Sequence, residues 1–123
     1  MPQAIVHVID DDEAVRDSLD FLLGANQFQV KTYTSGRQFL ETWSAERAAC
    51  VICDIRMPEL SGLEVVSELR RRGYDLPVII MTGHGDMALA AEVTEAGADG
   101  LLEKPFSEES LLAALHSVLS RSI

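Results

Sequence analysis

Two hydrophobic periodicities alternate along the chain. Short apolar runs of strand length are each followed by a stretch whose apolar residues recur every three or four positions, and the pair repeats five times. Ile5 to Ile9 is the first run; Val15, Leu19, Leu22 and Leu23 then share one face of a helix ending near Gly24. Phe28 to Tyr33 alternates apolar and polar residues, the pattern of a strand open to solvent on one side. Ser35 is placed to cap a helix carrying Phe39, Leu40 and Trp43. Cys50 to Cys53 is a third strand, and after a Pro/Gly loop Leu63, Val66 and Leu69 mark a third helix. Leu76 to Met81 is a fourth strand, followed by Gly83-His84-Gly85 and an alanine-rich helix from about Asp86 to Ala96. Gly100 to Leu102 is a short fifth strand. Ser107 then caps a last helix with Glu108 and Glu109 in its first turn, where acids suit the helix dipole, and with Leu111, Leu115 and Val118 as its core stripe.

Strict alternation of strand and helix predicts an α/β fold, a doubly wound five-stranded parallel sheet with helices on both faces. Strands one, three and four are almost unbroken apolar runs and belong in the middle, while the alternating second strand suits an edge. That is the flavodoxin-like strand order 2-1-3-4-5, in which strands one and three flank the topological switch point. Ligands bind there, beyond the carboxyl ends of the strands. The 123 residues contain no repeat, low-complexity segment or linker, so residues 1–123 are expected to form a single domain.

Composition narrows the classes further. A net charge of −10 argues against direct binding of DNA or RNA, which depends on cations replacing counterions along the phosphates. No apolar stretch is long enough to span a bilayer, and Met1-Pro2-Gln3-Ala4 has no basic segment ahead of an apolar one, so a cytoplasmic location without membrane attachment is expected. Cys50 and Cys53 have the C-x-x-C spacing of a redox motif. Three residues along a strand span ~10 Å and project to opposite faces, so two reduced core thiols are expected.

The candidate chemistry lies at the strand ends. Strand one ends in Asp10-Asp11-Asp12-Glu13, strand three in Asp54, strand four in Thr82 and strand five in Glu103-Lys104-Pro105. Taken singly, each has an ordinary explanation. An acidic run after a strand is more often a loop or a helix cap, with Asp12 well placed to cap, and a lysine before proline is usually on the surface. Landing together at the predicted ligand site reverses those odds. Converging carboxylates repel, which raises at least one pKa and favours a hard divalent cation such as Mg²⁺. A lysine and a threonine hydroxyl beside that cation suit a phosphoryl group, and with no Ser, Cys or His at the centre the nucleophile must be a carboxylate.

Four segments carry a family resemblance: Val8-Ile9-Asp10-Asp11, Asp54-Ile55-Arg56-Met57-Pro58, Met81-Thr82-Gly83 and Glu103-Lys104-Pro105-Phe106. In this order they resemble the signatures of response-regulator receiver domains of two-component signalling, over essentially the whole chain. Val15-Arg16-Asp17-Ser18-Leu19 and Thr82-Gly83-His84-Gly85-Asp86 are similar to the FixJ-type branch. The resemblance implies that Asp54 accepts a phosphoryl group from a histidine kinase. It implies that Asp11 and Asp54 bind Mg²⁺ (or Mn²⁺) through their side chains and Arg56 through its backbone carbonyl, with Asp10 assisting indirectly. Thr82 and Lys104 would contact the phosphoryl oxygens, and the Lys104-Pro105 peptide would be cis. Phosphorylation would shift a pre-existing conformational equilibrium and favour a homodimer through the fourth helix and fifth strand. Any control of transcription would run through an effector domain outside these residues or through a partner.

One position departs from the family pattern. Many receivers carry Tyr or Phe three residues before the lysine, an aromatic that turns inward with the threonine; here it is Leu101. Either a leucine rotamer change replaces that movement, or output runs mainly through the loop after Thr82. Two other classes compete. A haloacid-dehalogenase-type phosphatase would use Asp10-Asp11-Asp12 as its Asp-x-Asp motif. It lacks an acidic pair after Lys104, has no room for a cap domain and leaves Asp54-Ile55-Arg56-Met57-Pro58 unexplained. A receiver-like docking module that binds without phosphate is the other, kept open by Leu101. His84 reads as a flexible loop residue, His7 and His116 as structural or exposed, and Trp43 as core.

Overall fold

The computed structural model describes residues 4–83 and 89–120, and among them five strands alternate with five helices. They are β1 (Ile5–Ile9), α1 (Glu13–Ala25), β2 (Gln29–Tyr33), α2 (Gly36–Thr42), β3 (Ala48–Asp54), α3 (Gly62–Arg71), β4 (Val78–Thr82), α4 (Ala90–Glu95), β5 (Gly100–Glu103) and α5 (Glu108–Ser120). All strand pairs are parallel and the order is β2-β1-β3-β4-β5, as expected.

Alternation along the central strands divides the core in two, because successive side chains leave a strand on opposite faces. Val6, Val8, Cys50, Ile52, Ile79 and Met81 pack with α1 and α5 through Leu19, Leu23, Leu111, Leu115 and Val118. Ile9, Val51, Cys53, Val78 and Ile80 pack on the other face with Phe39 of α2, Val65, Val66 and Leu69 of α3, and Val93 of α4. Cys50 and Cys53 therefore lie on different faces and are free thiols. Burial pushes the Cys50 thiol up to about 12, far from a reactive thiolate.

Side-chain caps start α1, α2 and α5 where they were expected. Asp12 accepts from the Ala14 N–H, Ser35 from Gln38, and Ser107 from Ser110. Ser61 and Glu64 form a reciprocal capping box at α3. The strand limits shift by a residue or two. β3 starts at Ala48, β5 runs to Glu103, and β4 begins after Pro77, which has no N–H to donate and offers only its carbonyl, to Val51. Most of the N-terminal part of the predicted Asp86–Ala96 helix, and His84, lie outside the described residues; α4 itself covers Ala90–Glu95.

Trp43 is a correction. It is half-buried just past α2, stacked on Phe39 at 5.2 Å between ring centroids and meeting Tyr74 at 4.8 Å, so it borders the core. His7, which also meets Trp43, is buried along with Phe39; it is 1% exposed, and its Nδ1 lies 2.9 Å from the Tyr33 hydroxyl. His116 is exposed.

At the opposite end of the sheet from the strand C-termini, Arg70 in the last turn of α3 ties several segments together. Its guanidinium donates to the carbonyls of Gly97 (2.8 and 3.1 Å), Tyr74 (3.0 Å) and Leu76 (3.0 Å) and pairs with Asp99 at 3.0 Å. Gly97 has φ +103°, a turn conformation that L side chains rarely adopt. Asp99 also accepts from the Val78 N–H, which joins the turn before β5 to the start of β4.

Candidate functional site

Each predicted polar residue sits at the carboxyl end of a strand. Asp10 follows β1, Asp54 closes β3, Thr82 closes β4 and Lys104 follows β5. Parallel register turns those positions into neighbours: Asp54 pairs with Met81, Thr82 pairs with Glu103, and the Lys104 N–H donates to the Thr82 carbonyl at 2.7 Å. The Lys104-Pro105 peptide is cis.

Asp10 is fully buried and held from two sides. Its Oδ1 accepts the Asp12 N–H at 2.9 Å and its Oδ2 accepts Lys104 Nζ at 2.8 Å. The same ammonium lies 3.3 Å from Asp54 Oδ2. Asp11 is exposed, and ligand oxygens of Asp10, Asp11 and Asp54 all lie within 4.8 Å of one another. Acids on adjacent strands thus converge at the switch point between β1 and β3.

The loop after Asp54 folds back onto the strand that carries it. Glu59 takes a left-handed conformation (φ +68°) after Pro58, and the Gly62 N–H donates to the Ile55 carbonyl at 3.0 Å. A Cβ at Gly62 would lie 2.5 Å from the Asp54 carbonyl oxygen, so only glycine lets α3 begin this close to the strand end. Arg56 is exposed in this loop, and its backbone hydrogen-bonds the Asp54 carboxylate. Thr82, the last residue of β4, is buried. Leu101 is half-buried on the α4 side of the sheet with Val93 and pairs across with Ile80.

Burial, and next the charge of Asp10, raise the Asp54 pKa above the ordinary carboxylate value; Lys104 and the Arg56 backbone offset this only in part. Burial works against the Lys104 charge, but its hydrogen bond to Asp10 and the charges of Asp10 and Asp54 outweigh it, and the net shift is upward. One ammonium faces three carboxylates. A divalent cation fits this imbalance and this all-oxygen donor set, and Mg²⁺ commonly binds through one or two carboxylates plus waters.

Two contacts beside the site were not anticipated from sequence. One is the close approach of Gly62, for which the Pro/Gly loop was the signal. The other is Arg16, whose Nη1 donates to the Asp10 backbone carbonyl at 2.8 Å.

Fold and site together define a flavodoxin-like switch domain with an acidic, lysine-bearing pocket at its topological switch point. The chain belongs to the response-regulator receiver domain family, matched over residues 6–116, the phosphoacceptor domains of two-component signalling. It is 47% identical over 123 residues to the transcriptional regulatory protein FixJ of Azorhizobium caulinodans, covering 99% of this chain and 58% of that protein. The response regulator protein TmoT of Ectopseudomonas mendocina is 38% identical over 117 residues, covering 95% and 53%. The crystal structure of FixJ-N superposes with a TM-score of 0.87 at 36% identity, covering 100% of this chain and 98% of that one. The chain thus spans somewhat more than half the length of the curated relatives it matches. No helix among the described residues is long and apolar enough to cross a membrane.

Proposed function

We propose that Asp54 is the phosphoacceptor. One of its carboxylate oxygens attacks the phosphorus of a phosphohistidine on a histidine kinase; the P–N bond breaks, the imidazole leaves, and an acyl phosphate forms on Asp54. Asp11 and Asp54 would hold Mg²⁺ (or Mn²⁺) through their side chains and Arg56 through its backbone carbonyl, with Asp10 assisting without direct ligation. The cation would neutralise charge on the phosphoryl oxygens. Lys104, already between Asp10 and Asp54, supplies a second positive charge to those oxygens, and the Thr82 hydroxyl donates a hydrogen bond to them. The observation that carries this reading is the convergence of three carboxylates with Lys104 bridging two of them.

The chemistry is a stoichiometric switch, not turnover of a substrate. Phosphorylation replaces the single carboxylate charge of Asp54 with a phosphoryl group carrying about 1.5 to 2 negative charges, where burial already disfavours one, and favours a conformation in which Thr82 and Lys104 engage the new oxygens. The readout would pass to α4 and β5, where a second copy of the chain docks to form a homodimer. Direct nucleic-acid contact is not expected of this chain, whose net charge is −10. Transcriptional output would require an effector region or a partner, and a kinase partner implies the cytoplasm.

Incubation with acetyl phosphate and Mg²⁺, followed by mass spectrometry with the modified residue mapped, tests the assignment. One phosphoryl group per chain on Asp54, lost in Asp54→Asn, is expected. Labelling elsewhere, or continuous release of phosphate from an ester, would overturn it and favour a phosphatase.

A further inference from the structure

Arg16 lies in the segment Val15-Arg16-Asp17-Ser18-Leu19, which the phosphoryl chemistry above leaves without a task. It is half-buried in the first turns of α1, and its side chain reaches back so that Nη1 donates to the Asp10 carbonyl. That carbonyl belongs to the peptide joining Asp10 to Asp11. The Asp10 side chain is fixed by Asp12 and Lys104. Asp11 differs: it is exposed, and among the described residues no hydrogen bond or ion pair holds its carboxylate, although that carboxylate converges with the other two. Where Asp11 points is therefore set by its backbone, and Arg16 holds the peptide that leads into it.

We infer that Arg16 is a positioning residue for the cation, fixing the Asp10–Asp11 peptide so that the Asp11 carboxylate stays aligned with Asp10 and Asp54. The inference rests on the reading of these acids as the metal site. Its sign is diagnostic. As a bare charge, Arg16 repels a cation, and removing it should tighten binding. As a support for the peptide it does the reverse, as groups that orient metal ligands generally do.

The test is Mn²⁺ binding to the full chain, followed by electron paramagnetic resonance of the free ion, for the parent, Arg16→Gln, Arg16→Lys and Asp11→Asn. Arg16→Gln should bind about tenfold more weakly, the lower end for loss of such a support. Its labelling by acetyl phosphate should return to the parental rate at saturating Mn²⁺, and Arg16→Lys should fall between the two. Equal or tighter binding by Arg16→Gln overturns the inference, and so does slow labelling that saturating Mn²⁺ fails to restore. Asp11→Asn separates the two levels. If it binds like the parent, the metal site itself is misassigned; if it alone loses binding, only the role of Arg16 falls.

Discussion

Acid should destabilise this domain through one buried imidazole. His7 sits on central strand β1, and burial, reinforced by Lys31 and opposed by the Ser44 backbone, lowers its pKa from 6.5 to about 4. The ring is enclosed by Tyr33, Phe39 and Trp43, with centroids 5.7 to 5.8 Å away, and among the described residues its Nε2 has no hydrogen-bond partner. The folded state thus resists protonation that the unfolded chain accepts below pH 6.5. Stability from neutral His7 is complete above that value and drains away as pH falls towards the folded pKa. Each unit in this window removes about 1.4 kcal/mol, so the full interval corresponds to about 3 kcal/mol. That is a sizeable part of the 5–15 kcal/mol by which domains are typically stable. The perturbation to make is His7→Phe, with urea unfolding followed by Trp43 fluorescence from about pH 7.5 down to about pH 5, short of the pI of about 4.6. Carboxylates titrate in both proteins and cancel in the difference. The parent should lose about 2 kcal/mol more than the variant between about pH 6.5 and 5. Parallel stability profiles, or an NMR titration of His7 near its ordinary value, would refute the reasoning.

Three further outcomes follow from contacts around the pocket and the α3 end. Lys104→Met leaves the buried Asp10 carboxylate without its ammonium partner. It should cost about 2 kcal/mol without divalent cations, discounted from the larger values for breaking fully buried pairs because Lys104 is partly exposed, with Mg²⁺ recovering part of the loss in urea titrations. Gly62→Ala forces a methyl group against the Asp54 carbonyl and should cost about 1–3 kcal/mol by the same measurement; a change under about 0.5 kcal/mol would mean that α3 yields easily. Arg70→Ala should raise amide hydrogen exchange at Val78, whose acceptor Asp99 loses its guanidinium, by about tenfold or more while α1 amides change less.

Which of these features could be read beforehand depends on whether their cause is local. Strand order was legible because a fully buried strand must be apolar on both faces and an edge strand need not be: Val78–Thr82 and Gln29–Tyr33 differ in that way. The caps were legible because Asp12, Ser35 and Ser107 act within three residues. The acidic pocket was legible because topology alone brings the ends of β1, β3, β4 and β5 together. Contacts set by distant packing were not. Nothing near His7 in sequence announces Tyr33, 26 positions on, and nothing near Arg70 announces Gly97 or Asp99. Trp43 was misjudged for the same reason: its inward spacing on the helix is right, but the helix ends at Thr42, and the indole emerges at the rim beside Tyr74.

The four oxygens gathered by Arg70 limit how the neighbouring helix can travel. With Gly97 clamped from its carbonyl and Asp99 locked to both α3 and β4, the C-terminal end of α4 has a fixed fulcrum. These contacts resist sliding of that end along the sheet. Any displacement of α4 would therefore pivot about it, like a door on its hinge, and be largest at the edge farthest from Gly97.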